Sequence, residues 1–129
     1  MRTRASSASP FEATIGFSRA VRVGDRIVVS GTAPVEADGS STPGDAEAQA
    51  ARCLAIIAAA LEELGGTIAD VVRTRMFIVD TADGYAVGRA HGAVFRDIRP
   101  AATMVVVAAL LRPEWWVEIE AEAVLGGGA

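Results

Sequence analysis

Three glutamates near the C-terminus, Glu118, Glu120 and Glu122, alternate with Ile119, Ala121 and Ala123. An extended strand there presents Trp116 and the three carboxylates on one face and the apolar residues on the other. Same-face neighbours in a strand lie about 6.5–7 Å apart, so the anions repel unless cations or water intervene. Arg73 and Arg75 have the same two-residue spacing and become their partners if the two strands lie side by side. The set reads as an arginine/glutamate ladder on a sheet face or as carboxylates available for acid–base work. His91 is the only histidine and Cys53 the only cysteine, and each falls on an apolar helical stripe. His91 reads as a core or interface imidazole, or as a base if it faces a cleft; Cys53 reads as a small hydrophobe. Trp115 and Trp116 point to opposite faces, one toward the core and the other toward a cleft or interface.

Composition closes off several other chemistries. All twelve basic residues are arginine, which removes Schiff bases, pyridoxal attachment and the lysine of a phosphate-binding loop. A single Cys and a single His offer no zinc spacing, no intrachain disulfide and a poor supply for a Ser/His/Asp triad. No metal and no cofactor is expected. A net charge of −4 with scattered arginines gives no footprint for a nucleic-acid backbone. The longest apolar run, Thr103 to Leu111, is about half of the roughly 20 residues that span a bilayer, and the charged opening lacks a following apolar segment. A cytoplasmic protein without a membrane or nucleic-acid partner is expected. With 129 residues and 51% hydrophobic content, it should form one domain over residues 11–129 behind a flexible N-terminus over residues 1–10.

The elements that must position these residues follow from periodicity. Residues 18–23 and 26–30 are β-rich and flank Gly24-Asp25, a hairpin in which both turn residues are expected at positive φ. Gly31 to Gly44 reads as a loop. Thr42-Pro43-Gly44-Asp45 then predicts a helix start with Thr42 as N-cap, Pro43 at N1 and Asp45 at N3. Ala50, Cys53, Leu54, Ile57, Leu61 and Leu64 form one helical stripe, closed by Gly65-Gly66. Residues 72–79 alternate as a strand, and residues 83–98 form a second helix with Val87, His91, Val94, Phe95 and Ile98 on its apolar side. Gly84, Gly88 and Gly92 recur every fourth residue in that helix, at about 0.8–1 kcal/mol each relative to alanine. The spacing therefore predicts close approach to a neighbouring helix or sheet. Residues 103–109, nearly all apolar, read as a central strand, and residues 115–125 as the last one. The order strand, strand, helix, strand, helix, strand, strand implies an α+β fold, a mixed β-sheet with two helices packed on one face.

Ser30-Gly31 with Pro34, Gln49 and Leu54, Gly65-Gly66, Phe77 to Asp80, Arg99-Pro100-Ala101 and Val117-Glu118-Ile119-Glu120-Ala121 stand in an order that resembles the Rid (YjgF, RidA-like) family over roughly residues 16–124. The resemblance implies a chorismate-mutase-like fold, a homotrimer with a small-molecule ligand in clefts between subunits, and hydrolysis of enamine/imine intermediates to 2-oxo acids with release of ammonia. It puts the water-orienting glutamate on Glu118 and the hydroxyl and backbone contacts on Ser30 and Gly31. The cleft tyrosine falls on Phe17, a helix asparagine on Gly88 and a nearby tyrosine on His91. The arginine that pairs with the substrate carboxylate two residues after the family's proline falls on Ala102, so substrate anchoring is atypical. Thr103 and the backbone N–H of Met104 are left to supply polar contacts. The alternative is a non-catalytic, metabolite-binding or chaperone-like trimer using the same cleft.

Overall fold

Alternating segments pair into one six-stranded sheet in the computed structural model, which describes residues 1–7, 9 and 11–126. The strands are β1 (Arg2–Ala5), β2 (Ala20–Val23), β3 (Arg26–Thr32), β4 (Val71–Ile78), β5 (Ala101–Val106) and β6 (Val117–Val124), and the helices are α1 (Ala46–Glu63) and α2 (Gly84–Phe95). Across the sheet the order is β1-β2-β3-β6-β4-β5. The β4–β5 pair, joined through α2, is parallel and the others are antiparallel. Ile27, Val29, Ile119 and Ala121 from the sheet meet Leu54, Ile57, Leu61, Val87 and Phe95 from the helices in one buried cluster. Each fully buried large side chain contributes about 1.5–3 kcal/mol. The other sheet face is left open.

Local chemistry explains the boundaries and corrects several expectations. The N-cap of α1 is Asp45, whose carboxylate accepts the Ala48 N–H at 2.9 Å. Thr42 is not the cap, because its hydroxyl donates to Glu36 at 2.7 Å inside the preceding loop. The other end of α1 matches its glycine signal: Gly65 has φ +89, and the N–H groups of Gly65 and Gly66 bond the Glu62 and Leu61 carbonyls in a Schellman closure. In the β2–β3 turn only Gly24 has positive φ, at +62, so a single left-handed residue suffices. Residues 1–10, expected as a flexible terminus, contain β1, which pairs with β2 from Arg2↔Val23 to Ala5↔Ala20.

Four further differences concern packing. Residues 103–109 were expected in a central strand, but β5 lies at the sheet edge with Val105 and Val106 exposed. Apolar composition on both faces predicts a central position only when elements cover both faces and strands flank both sides, and β5 is flanked by β4 alone. The glycine line of α2 makes no close approach among the described residues: a Cβ on Gly88 or Gly92 would meet nothing within 4 Å, and one on Gly84 only the Met104 sulfur at 3.8 Å. A bulge at Val71–Arg73 opposite β6 gives the inward position to Val71 and leaves Val72 exposed, whereas Thr74, Met76 and Ile78 keep the expected alternation. Neither tryptophan joins the core cluster. Trp115 precedes β6 and donates its indole N–H to Ser41 at 3.0 Å, and Trp116 is exposed. No helix among the described residues is long and apolar enough to cross a membrane.

Candidate functional site

The open sheet face carries the charged residues because strand parity sends them there. On β6, Val117, Ile119, Ala121 and Ala123 are buried against the helices, so Glu118, Glu120 and Glu122 project the other way. The β4 register sets Arg73 beside Glu122, Arg75 beside Glu120 and Phe77 beside Glu118. Arg75 donates to Glu120 at 2.8 Å, and Arg73 and Arg26 each approach Glu122 to 3.5 Å. A hollow of about 120 Å³ lies over this ladder, lined by Val28, Ser30, Arg73, Arg75, Glu120 and Glu122 among others. Opposite charges within it are matched, so it offers little net field to a ligand.

Glu118 sits differently. It is half-buried, stands beside a phenyl ring instead of a guanidinium, and makes no ion pair among the described residues. Burial pushes its carboxyl above the usual carboxylate range; the Arg19 cation opposes that shift and the Glu120 anion adds to it. Gly31 makes the approach possible, since a Cβ there would lie 2.6 Å from Glu118 Oε2. Beside it the Ser30 hydroxyl donates to the Ser18 carbonyl at 2.7 Å and the Thr32 hydroxyl to the Ser30 carbonyl at 2.8 Å. The β3–β6 register shifts between Val29 and Thr32, a bulge of the kind that re-aims side chains near functional sites. Phe17 joins through Arg19, whose guanidinium carbon lies 5.8 Å from the phenyl centroid.

Thus Phe17, Ser30, Gly31 and Glu118 form one group, but the remaining expected residues do not join it within the chain. In the parallel register Ala102 lies beside Thr74 and Met104 beside Met76, on the helix-covered face. His91 is on that face too: its Nε2 is 2.8 Å from the Thr74 hydroxyl and its ring packs on Phe95 at 4.6 Å between centroids. Burial lowers its pKa, favouring the neutral imidazole. Thr103 is on the open face but beside Arg75, one ladder rung away from Glu118. Two half-sites therefore lie on opposite faces of one sheet.

Sequence reasoning missed two members of the Glu118 group, Phe77 and Arg19. Their signal was present in strand parity, Phe77 two residues past Arg75 and Arg19 one residue before buried Ala20, but the cross-strand neighbour that gives each its role is non-local. The Cys53 thiol is buried and pushed up to about 12, chiefly by burial, so it stays protonated and supplies no nucleophile. No three His, Cys, Asp or Glu side chains among the described residues converge as a metal site would require. What the group can do is hold a water on a carboxylate whose proton affinity has been raised, beside a half-buried cation.

Known proteins are similar to this chain over most of its length. Residues 7–125 match the family described as Endoribonuclease L-PSP. The chain is 34% identical over 116 residues to the 2-iminobutanoate/2-iminopropanoate deaminase of Escherichia coli, covering 87% of this chain and 88% of that protein. It is 37% identical over 123 residues to SCO2049 of Streptomyces coelicolor, covering 95% and 92% respectively. The crystal structure of Rv2704 from Mycobacterium tuberculosis, described as a member of the YjgF/YER057c/UK114 family, is similar with a TM-score of 0.89 and 43% identity, covering 97% of this chain and 100% of that one. The mixed sheet with two main helices is thus the fold of YjgF-family structures.

Proposed function

Because the chain belongs to the endoribonuclease L-PSP (YjgF/RidA) family, we propose that it hydrolyses small enamine/imine metabolites, releasing ammonia and the corresponding 2-oxo compound. The observation that carries this reading is the half-buried Glu118 carboxylate, without an ion pair among the described residues and packed against Gly31. Water adds to the imine carbon while Glu118 accepts its proton. Glu118 returns that proton to the nitrogen, giving a carbinolamine, then takes the carbinolamine hydroxyl proton and delivers it to the amino group, so that the C–N bond breaks as the carbonyl forms and ammonia leaves. A carboxylate held above its ordinary pKa both accepts and returns that proton more readily near neutral pH.

The active assembly is a homotrimer with the ligand held between subunits. Two features support it: Val105 and Val106 on the edge strand are apolar and exposed, and the half-sites of Glu118 and His91 meet only if one subunit's open face abuts another's β5 edge. Substrate anchoring is atypical, since Ala102 stands where the resemblance implies an arginine.

The test is decay of 2-iminobutanoate generated in situ, followed with the unaltered chain and with Glu118→Ala and Glu120→Gln. Losing a positioned general base costs about 10²–10⁴-fold, so Glu118→Ala should fall by that much and Glu120→Gln by no more than a few-fold. Equal rates for the unaltered chain and Glu118→Ala would remove the enzymatic reading.

A further inference from the structure

Arg19 is a half-buried cation without an ion-pair partner among the described residues. Its Nη2 donates to the Gly31 carbonyl at 2.7 Å, while its Nε is enclosed with no hydrogen-bond partner among the described residues. No carboxylate among them forms an ion pair with it. The anions whose charge supports the guanidinium against burial are chiefly Glu12 and Glu118. Glu12 is itself engaged by the amide and hydroxyl of Ser7. Arg19 and Glu118 converge on one residue: Gly31 gives its carbonyl to the guanidinium and its bare α-carbon to the carboxylate. An uncompensated guanidinium removed from water costs free energy that a bound anion would offset. The planar fork also suits a carboxylate better than any neutral group in the chain.

We propose that Arg19 is the substrate anchor of this cleft and selects small 2-imino acids by pairing with their carboxylate beside Glu118. The inference rests on the imine-hydrolase reading and supplies the anchor that Ala102 does not. The carboxylate sits on Arg19 and the imine carbon faces the water on Glu118, so charge recognition comes from the residue before β2 and proton transfer from β6, on either side of β3 in one subunit.

Calorimetric titration of the full chain with 2-oxobutanoate, the product-like acid, and with its neutral methyl ester tests this. The unaltered chain should bind the acid at least tenfold more tightly than the ester. Arg19→Gln should lose about ten- to hundredfold on the acid, leave the ester unchanged and raise KM for the imino acid more than it lowers kcat. Arg19→Lys, which keeps the charge and a donor for the Gly31 carbonyl, should fall between them and serves as the probe if thermal unfolding shows that Arg19→Gln does not fold. Wild-type acid affinity in the folded variant, or no binding of 2-oxobutanoate by the unaltered chain, overturns the proposal. Binding through Arg19 without accelerated imine decay upholds the anchor and removes the hydrolase reading. Imine turnover with a KM unchanged by Arg19→Gln does the opposite.

Discussion

Glu122 lies 3.5 Å from both Arg73 and Arg26, and Glu120 lies 2.8 Å from Arg75. Two residues earlier on the same strand face, Glu118 has Phe77 across one strand boundary and Gly31 against its carboxylate on the other side. Residue type, strand and face are shared, so the difference between a structural ladder and a candidate acid–base group comes entirely from the neighbouring strands. Supplying a guanidinium stabilises the anion and ends its usefulness as a base; supplying a ring and a glycine leaves it half-desolvated and avid for a proton.

Phe77→Arg erases that contrast most directly. Continuing the ladder by one rung, the new guanidinium should pair with Glu118, bring its pKa down and reduce imine hydrolysis by roughly one to two decades, on a charge-assisted bond of about 1.5–3 kcal/mol. A rate profile shifted to lower pH with the protein still folded is the expected signature; undiminished activity would show that the phenyl ring is irrelevant to the carboxylate. Glu118→Gln sharpens the comparison through stability. A carboxyl whose folded pKa exceeds its unfolded one contributes fully below the unfolded value of about 4.3 and loses that contribution as pH rises through the folded value. Glu118→Gln should therefore raise the unfolding midpoint at pH 7, with the gain vanishing below about pH 4. The corresponding Glu120→Gln change removes a bond from Arg75 and should not stabilise at pH 7. The smallest effect belongs to the ladder itself. Because the Arg75 and Glu120 side chains remain partly exposed, a double-mutant cycle between Arg75→Met and Glu120→Gln should give a coupling of about 0.2–1 kcal/mol that weakens in high salt.

Much of this was readable beforehand. The alternation of Val117 to Ala123 and of Thr74 to Ile78 places both charged rows on one face, and the Arg73/Arg75 spacing matches Glu122/Glu120 before any register is known. The α1 stripe from Ala50 to Leu61 and its Gly65 closure likewise needed only local rules. What escaped depended on competition or on distant partners. Thr42 has capping chemistry, yet Glu36 claims its hydroxyl and Asp45 caps instead. Arg99, just past the second helix and before Pro100, adopts φ +55 with its N–H bonded to the Phe95 carbonyl. A following proline disfavours the right-handed helical region. The β5 segment is apolar on both faces, and composition carries no information on its place in the sheet, which its pairing with β4 alone sets at the edge.

Periodicity, glycine placement and the absence of lysine are properties of the chain read in order, so they were enough to determine which residues line each face and which reactions lack their reagents. The pairing of β6 between β3 and β4, and with it the choice of Glu118 over Glu120 as the unpaired carboxylate, belongs to contacts far apart in sequence. Only folding brings Phe77, Gly31 and Arg19 to that carboxylate, because proton affinity follows the dielectric and the charges within a few ångströms, and those are set by which strands become neighbours.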